Sequence, residues 1–349
     1  MNHPYASQPD RAFWKKAISP HNPLDVTDWY QRKFPLDGGK IATAGSCFAQ
    51  HIGRRLRAEG FQYLDMEPPP PGLPQPLWAD YGYGMFSARY GNVYTARQLV
   101  QLVQRALGSF RPVETHWEKA GGVVDPFRPT LEREPFGSVA ELQALQADHL
   151  ERVVELLGKT DVFVFTLGLT EAWVSRQDGA VFPLCPGTSA GGVFDPERHG
   201  FVNLGVGAVR ADMDQFIALA RKINPALKLL LTVSPVPLMA TATNSHVAVA
   251  SSHSKAVLRA VAGELAADLP FVDYFPSYEI ISAPFMKGFF FQPDGREVSP
   301  HGVAHVMHIF FGQHPPPPAG PAPALEFDGV AELDQLKCDE ELLNAFSQR

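Results

Sequence analysis

Cysteine is nearly missing from this chain: three residues, Cys47, Cys185 and Cys338, are spread over 349 positions. Their odd number and wide spacing speak against a disulfide framework, and without a CxxC pair no cysteine zinc site is expected. Long apolar runs are missing too. None approaches the roughly 20 residues that span a bilayer, so no membrane partner is expected. An excess of positive charge is also lacking. With 37 acidic and 30 basic residues the net charge is −7, which leaves no electrostatic footprint for nucleic acid. The opening Met1–Gln8 has no basic segment leading into an apolar one, so no secretory signal is read and a cytoplasmic location is the expectation. There is no internal repeat.

What is present is a chain of 45% hydrophobic residues, long enough to bury a full core. Residues 1–35, rich in proline, aromatic and charged residues, read as an arm held down by Trp14 and Trp29. Pro68 to Pro71, with Pro74 and Pro76, excludes a helix or central strand and makes a stiff surface connection or one wall of a cleft. Apolar residues at helical spacing from Val139 to Leu157 precede a buried strand at 161–166. A helix over 212–222 leads to a strand at 229–233, and a helix over 254–267 to a strand-like run at 270–275. Strands alternating with helices of this length predict an α/β fold, a three-layer α/β/α sandwich with a mainly parallel sheet. Ligands of such folds sit beyond the carboxyl ends of the strands. Ser46, Gly168–Glu171, Ser234-Pro235 and Pro276–Glu279 all follow predicted strands and are expected to meet along one edge. Residues 36–312 are thus read as the domain. Residues 313–349 are read as a proline-rich linker and acidic tail.

The stretch Gly45-Ser46-Cys47-Phe48-Ala49 sets a hydroxyl and a thiol side by side where a strand turns into a helix. Free amide groups and the dipole of a helix N-terminus favour developing negative charge, which both a nucleophile and an oxyanion need. A tight strand-to-helix turn without chemistry would use the same small residues. Cys47 is either small filler beside a serine nucleophile or the nucleophile itself.

This stretch resembles the signature of the GSCFA family, which is similar to the SGNH/GDSL hydrolases. The likeness continues in Phe86–Thr95, Phe165–Trp173, Thr232–Pro237, Ser254-Lys255 and Tyr274–Glu279. It implies an SGNH-like fold and a serine esterase or O-acyltransferase acting on a small-molecule or glycan ester. No cofactor or metal is implied, and the oligomeric state stays open.

By the resemblance, Ser46 attacks, and oxyanion donors come from Ser46 itself, from Gly91 with Asn92 close by, and from Thr170 in Gly168-Leu169-Thr170-Glu171. Family relatives carry asparagine where Thr170 stands. Gly91-Asn92 is otherwise a plain turn, and Glu171 orients the base, contacts substrate or caps a backbone group. SGNH relatives place Asp-x-x-His before the final helix; here Asp294-Gly295-Arg296-Glu297 ends in glutamate. The base is then His301, next in chain order, with Asp294 or Glu297 orienting it, or His246, in the loop after the strand ending at Val233. His301, His305 and His308 share a helical face, but no acidic partner completes a metal motif. Arg54, Arg55, Arg89 and Lys255 either hold an anionic group or pair with carboxylates. The rival to an enzyme is a catalytically silent module that binds a glycan or acyl ligand.

Overall fold

The computed structural model describes residues 3–318 and 339–346. The predicted proline-rich linker beyond Ala319 lies largely outside them. The arm carries one short helix, α1 (Trp14–Ala17), and its two tryptophans meet on one ring: Trp29 stacks on Phe285 and Trp14 meets the same ring edge-on. After it come β1 (Lys40–Gly45), α2 (Cys47–Ala58), β2 (Gln62–Tyr63), α3 (Ala96–Ala106) and a small hairpin, β3 (Trp117–Lys119) with β4 (Gly122–Val124). The chain continues through α4 (Val139–Lys159), β5 (Val162–Leu167), β6 (Glu171–Ser175), β7 (Val181–Phe182) and β8 (His199–Asn203). It closes with α5 (Val206–Ile223), β9 (Lys228–Val233), α6 (Val247–Asp268), β10 (Val272–Tyr274), α7 (Ser277–Ser282) and α8 (Pro300–Gln313).

Five strands form the central sheet in the order β10-β9-β5-β1-β2, every pair parallel. The period-2 alternation of its strands sorts the core into two layers. Ala42, Ala44, Phe163, Phe165, Leu229 and Leu231 point to one face, where α3, α4, α5 and α6 pack. Ile41, Val162, Val164 and Leu230 point to the other, covered by α2, α7, α8 and Phe34 of the arm. β5, buried along its whole length, is the centre of a three-layer α/β/α sandwich.

Two helices start earlier than their predicted bounds. α5 begins at Val206 because Val209, Met213, Phe216, Ile217 and Ala220 continue one buried stripe back to Gly205. α6 begins at Val247 because His246 caps it, its ring nitrogen accepting from the Ala248 amide. The antiparallel sheet β7-β6-β8 has no counterpart in the sequence reading. Its strands are two to five residues long and show no regular alternation of burial, too short for a period to stand out.

Strand order reverses between β1 and β5: the chain leaves β1 toward β2 on one side and returns to place β5 on the other. Parallel α/β sheets open a crevice at such a point, outside the carboxyl ends of the strands. Ser46 follows β1 and Gly168 follows β5, so both lie at this crevice. The arm is tied to the opposite side of the sheet. Tyr30 donates to Asp273 Oδ2 of β10 (2.6 Å), the Lys33 amide donates to the same oxygen (2.8 Å), and Tyr30 Oη meets His314 Nε2 (3.1 Å).

Candidate active site

Gly45 ends β1 with φ +143°, a conformation that side chains disfavour, and a β-carbon there would lie 2.5 Å from the Thr166 carbonyl oxygen. This close approach lets the chain swing from strand directly into α2. Ser46 is the N-cap of α2, yet its hydroxyl caps nothing. The residue is 3% exposed, and its Oγ has no hydrogen-bond partner among the described residues. A serine at an N-cap ordinarily spends its hydroxyl on the first helical amides; this one is held buried and unspent. Its own N–H donates to Thr166 O at 3.3 Å.

A cavity opens at Ser46. It is lined by Ser46, Cys47, Tyr94, Gly168, Leu169, Ser234, Val236, Lys255 and Glu340. Sequence segments after β1, β5 and β9 therefore do converge. The segment after β10 does not line it: Ser277 donates to Val233 O from below, and Glu279 is held by Arg259 and Tyr274. The space left open is about 10 Å³, on the order of the room one water needs. A larger cavity, about 260 Å³, lies between Glu67, Arg89, Arg128 and Leu131 and does not reach Ser46.

Lys255, on the third turn of α6, is the ionisable group of this crevice that the sequence suggested only as a partner for anions or carboxylates. It is 3% exposed, and its Nζ donates to Gly168 O at 2.8 Å. Burial pushes its ammonium down to about 8, partly offset by the charges of Glu340 and Cys47, while Arg296 pushes the same way as burial. The helix start that presents it is fixed by neighbours: Ser251 Oγ accepts from the Leu238 amide, and Ser254 Oγ from the Thr170 amide.

The remaining predicted site residues divide clearly. Asn92 is buried but does not line the cavity at Ser46; its Oδ1 accepts from Gln50 Nε2 (3.3 Å) and its Nδ2 donates to Asp339 Oδ2 (3.0 Å). Gly91 precedes it with φ +66°, the left-handed turn that aims Asn92 inward. Thr170 is not placed as an oxyanion donor: its hydroxyl is given to Asn203 Oδ1 at 2.7 Å. Glu171 accepts from Thr241 Oγ1 and the Ala242 amide and so fastens a loop.

Neither histidine lines the cavity. His246 is exposed and caps α6. His301 is exposed on the first turn of α8, which Ser299 caps and Pro300 enters. Asp294 accepts from the amides of Arg296 and Glu297, an Asx turn at the surface rather than a brace for imidazole. His305 stacks on Phe290. The segment that would carry the family histidine instead sends Arg296 inward, where its Nη2 donates to Glu340 Oε2 at 3.1 Å.

Glu340 belongs to a 3₁₀ turn, Asp339–Phe346, that enters the crevice. Asp339 is 4% and Glu340 7% exposed. The Asp339 carboxylate accepts from Asn92 and Thr130, and its amide donates to Tyr94 Oη (3.1 Å). Burial holds the Glu340 carboxyl above its ordinary value, although the charges of Arg296 and Lys255 and the Met239 amide pull it down. An acidic tail carries no periodicity that would signal such docking.

The GSCFA family matches over residues 40–310. No curated protein matches. Among solved structures the chain is similar to a crystal structure of an acetyl esterase with a serine-to-alanine substitution and an acetate ion. The identity is 10%, with 79% of this chain and 95% of that one covered and a TM-score of 0.36.

Proposed function

The chain belongs to the GSCFA family, and on that premise we propose that it is a serine acyl-transfer enzyme, hydrolysing or transferring the acyl group of a carbohydrate O-acyl ester. The observation that carries this is the Ser46 hydroxyl, buried without a partner in a cavity shared with Lys255. A buried hydroxyl without a hydrogen bond costs about 1–3 kcal/mol, a cost that a nucleophile's role accounts for and a structural role does not.

In the proposed mechanism, the neutral fraction of Lys255 takes the Ser46 proton as Oγ attacks the acyl carbonyl. The oxyanion's donors in this proposal are the N-terminus of α2 and Asn92 Nδ2, which Asp339 engages in this structure. The leaving alcohol departs with a proton returned from Lys255. Water or an acceptor hydroxyl then attacks the acyl-Ser46 ester by the same route in reverse. Lysine rather than histidine is favoured as base because neither His246 nor His301 lines the cavity.

A fluorophosphonate probe, with the modified residue mapped by mass spectrometry, tests this. Labelling at Ser46 that persists in His246→Ala and His301→Ala and disappears in Lys255→Met is the expected result. Labelling at Cys47 would move the nucleophile by one residue. A folded wild type that takes no label, together with an unlabelled Glu340→Gln variant, would make the chain a binding module.

A further inference from the structure

Of two neighbouring buried carboxylates on the tail turn, Glu340 lines the cavity at Ser46, and each is received by a built set of donors. Asp339 meets Asn92 Nδ2 and Thr130 Oγ1. Glu340 meets Arg296 Nη2, with the Met239 amide and the Lys255 charge also acting on it. The side chains of Arg296 and Glu340 are 12% and 9% exposed, so this pair is shielded from water, and removing one partner of such a pair is costly. Asp339 also stands on Asn92, the donor assigned above to the reacting carbonyl. Glu340 then marks the neighbouring position of the ligand.

We propose that Arg296, the Met239 amide and the field of Lys255 form a carboxylate subsite next to Ser46, which Glu340 occupies in this structure. The ester that this pocket takes therefore bears a carboxylate, as an acylated uronic acid does. The inference rests on the serine acyl-transfer reading for the reaction, but not for the binding. A carboxylate entering the crevice replaces Glu340 charge for charge. A neutral ester of the same shape gives up the pairing that Glu340 supplies, and desolvation then counts against it. Asp294 and Glu297, the other acidic groups of the loop that carries Arg296, are exposed. Glu341, on the tail, is exposed as well.

The test uses the full chain with Glu340→Gln, which keeps the shape of the side chain and removes its charge. Glutarate and its uncharged diamide are titrated by calorimetry into this variant and into wild type. Glutarate is expected to bind the variant at least about tenfold more tightly than the diamide does, and tenfold more tightly than it binds wild type. Adding Arg296→Gln to the variant abolishes the preference, whereas adding Ser46→Ala leaves it intact. In turnover, 4-acetoxybenzoate is expected to exceed 4-acetoxybenzamide by a similar factor in kcat/KM. Equal binding of glutarate and diamide, or no binding of glutarate to a variant whose thermal melt shows it folded, overturns the subsite. Glutarate binding without turnover of either ester upholds the subsite and removes the enzymatic reading instead.

Discussion

Gly168 packs against Ser46 so closely that a β-carbon on it would stand 2.9 Å from Ser46 Cβ and 3.1 Å from the Tyr94 carbonyl oxygen. The loop after β5 therefore supports the side chain that follows β1. Gly168→Ala is expected to push Ser46 off its position, cost about 1–3 kcal/mol as overpacking does, and slow probe labelling. Urea unfolding and the labelling rate measure the two effects. Labelling at the wild-type rate would show that the loop has no part in positioning Ser46.

The Ser46 hydroxyl is buried without a partner, so removing it should cost the fold nothing. Ser46→Ala is expected to be neutral or slightly stabilising in urea while activity falls by at least about 10³-fold. A loss of stability above about 1 kcal/mol would point to a structural bond for this hydroxyl. Cys47→Ala, tested alongside, should keep most activity if serine is the nucleophile.

Burial holds the Lys255 ammonium at about 8 in the folded chain, and only its neutral form can accept a proton. Acylation should rise with pH and level off above 8. Glu340 favours the charged form, so Glu340→Gln should move the midpoint of the rise downward. Stability follows the same group: between 8 and the ordinary 10.5 the unfolded chain binds the extra proton, so this lysine's contribution grows with pH across that window. A midpoint near 6.5 that vanishes in His301→Ala or His246→Ala would return the role of base to histidine.

Away from the crevice, His149 and Glu67 form a buried pair, Nδ1 to Oε2 at 2.7 Å, with the Arg89 amide on the same oxygen. Burial would raise Glu67, but His149, Arg128 and the Arg89 amide outweigh it and bring it to about 2. Burial and Arg128 push His149 down to about 4 despite Glu67. Glu67's contribution is fully present above the ordinary 4.5 and is lost as pH falls below that value. Glu67→Gln is expected to flatten the acid limb of stability between pH 4.5 and 2. Urea midpoints across that range provide the check, and an unchanged slope would contradict it.

The turn from β1 into α2 was readable because small residues between an apolar run and a helical period have few other uses. The layering of the sheet followed from alternating strands and helices. Strand order was not readable, since β5 and β9 are equally apolar and nothing in their letters says which one pairs with β1. Neither candidate histidine lines the cavity at Ser46, for a local reason. A histidine's place in chain order says nothing about its direction, and Ser299 and Pro300 start α8 so that His301 faces outward. Arg296, two residues past Asp294, turns inward instead. Lys255 was visible as a cation near a motif, but its burial depends on loops from three other strands.

Tyr30 joins residues 243 and 284 positions away, Asp273 and His314. During synthesis its hydroxyl waits for nearly the whole domain to emerge before either partner exists. Contacts of such long sequence separation form late and slow folding. The link from the arm to β10 thus spans nearly the whole domain and adds to the long-range pairing that this fold has to close.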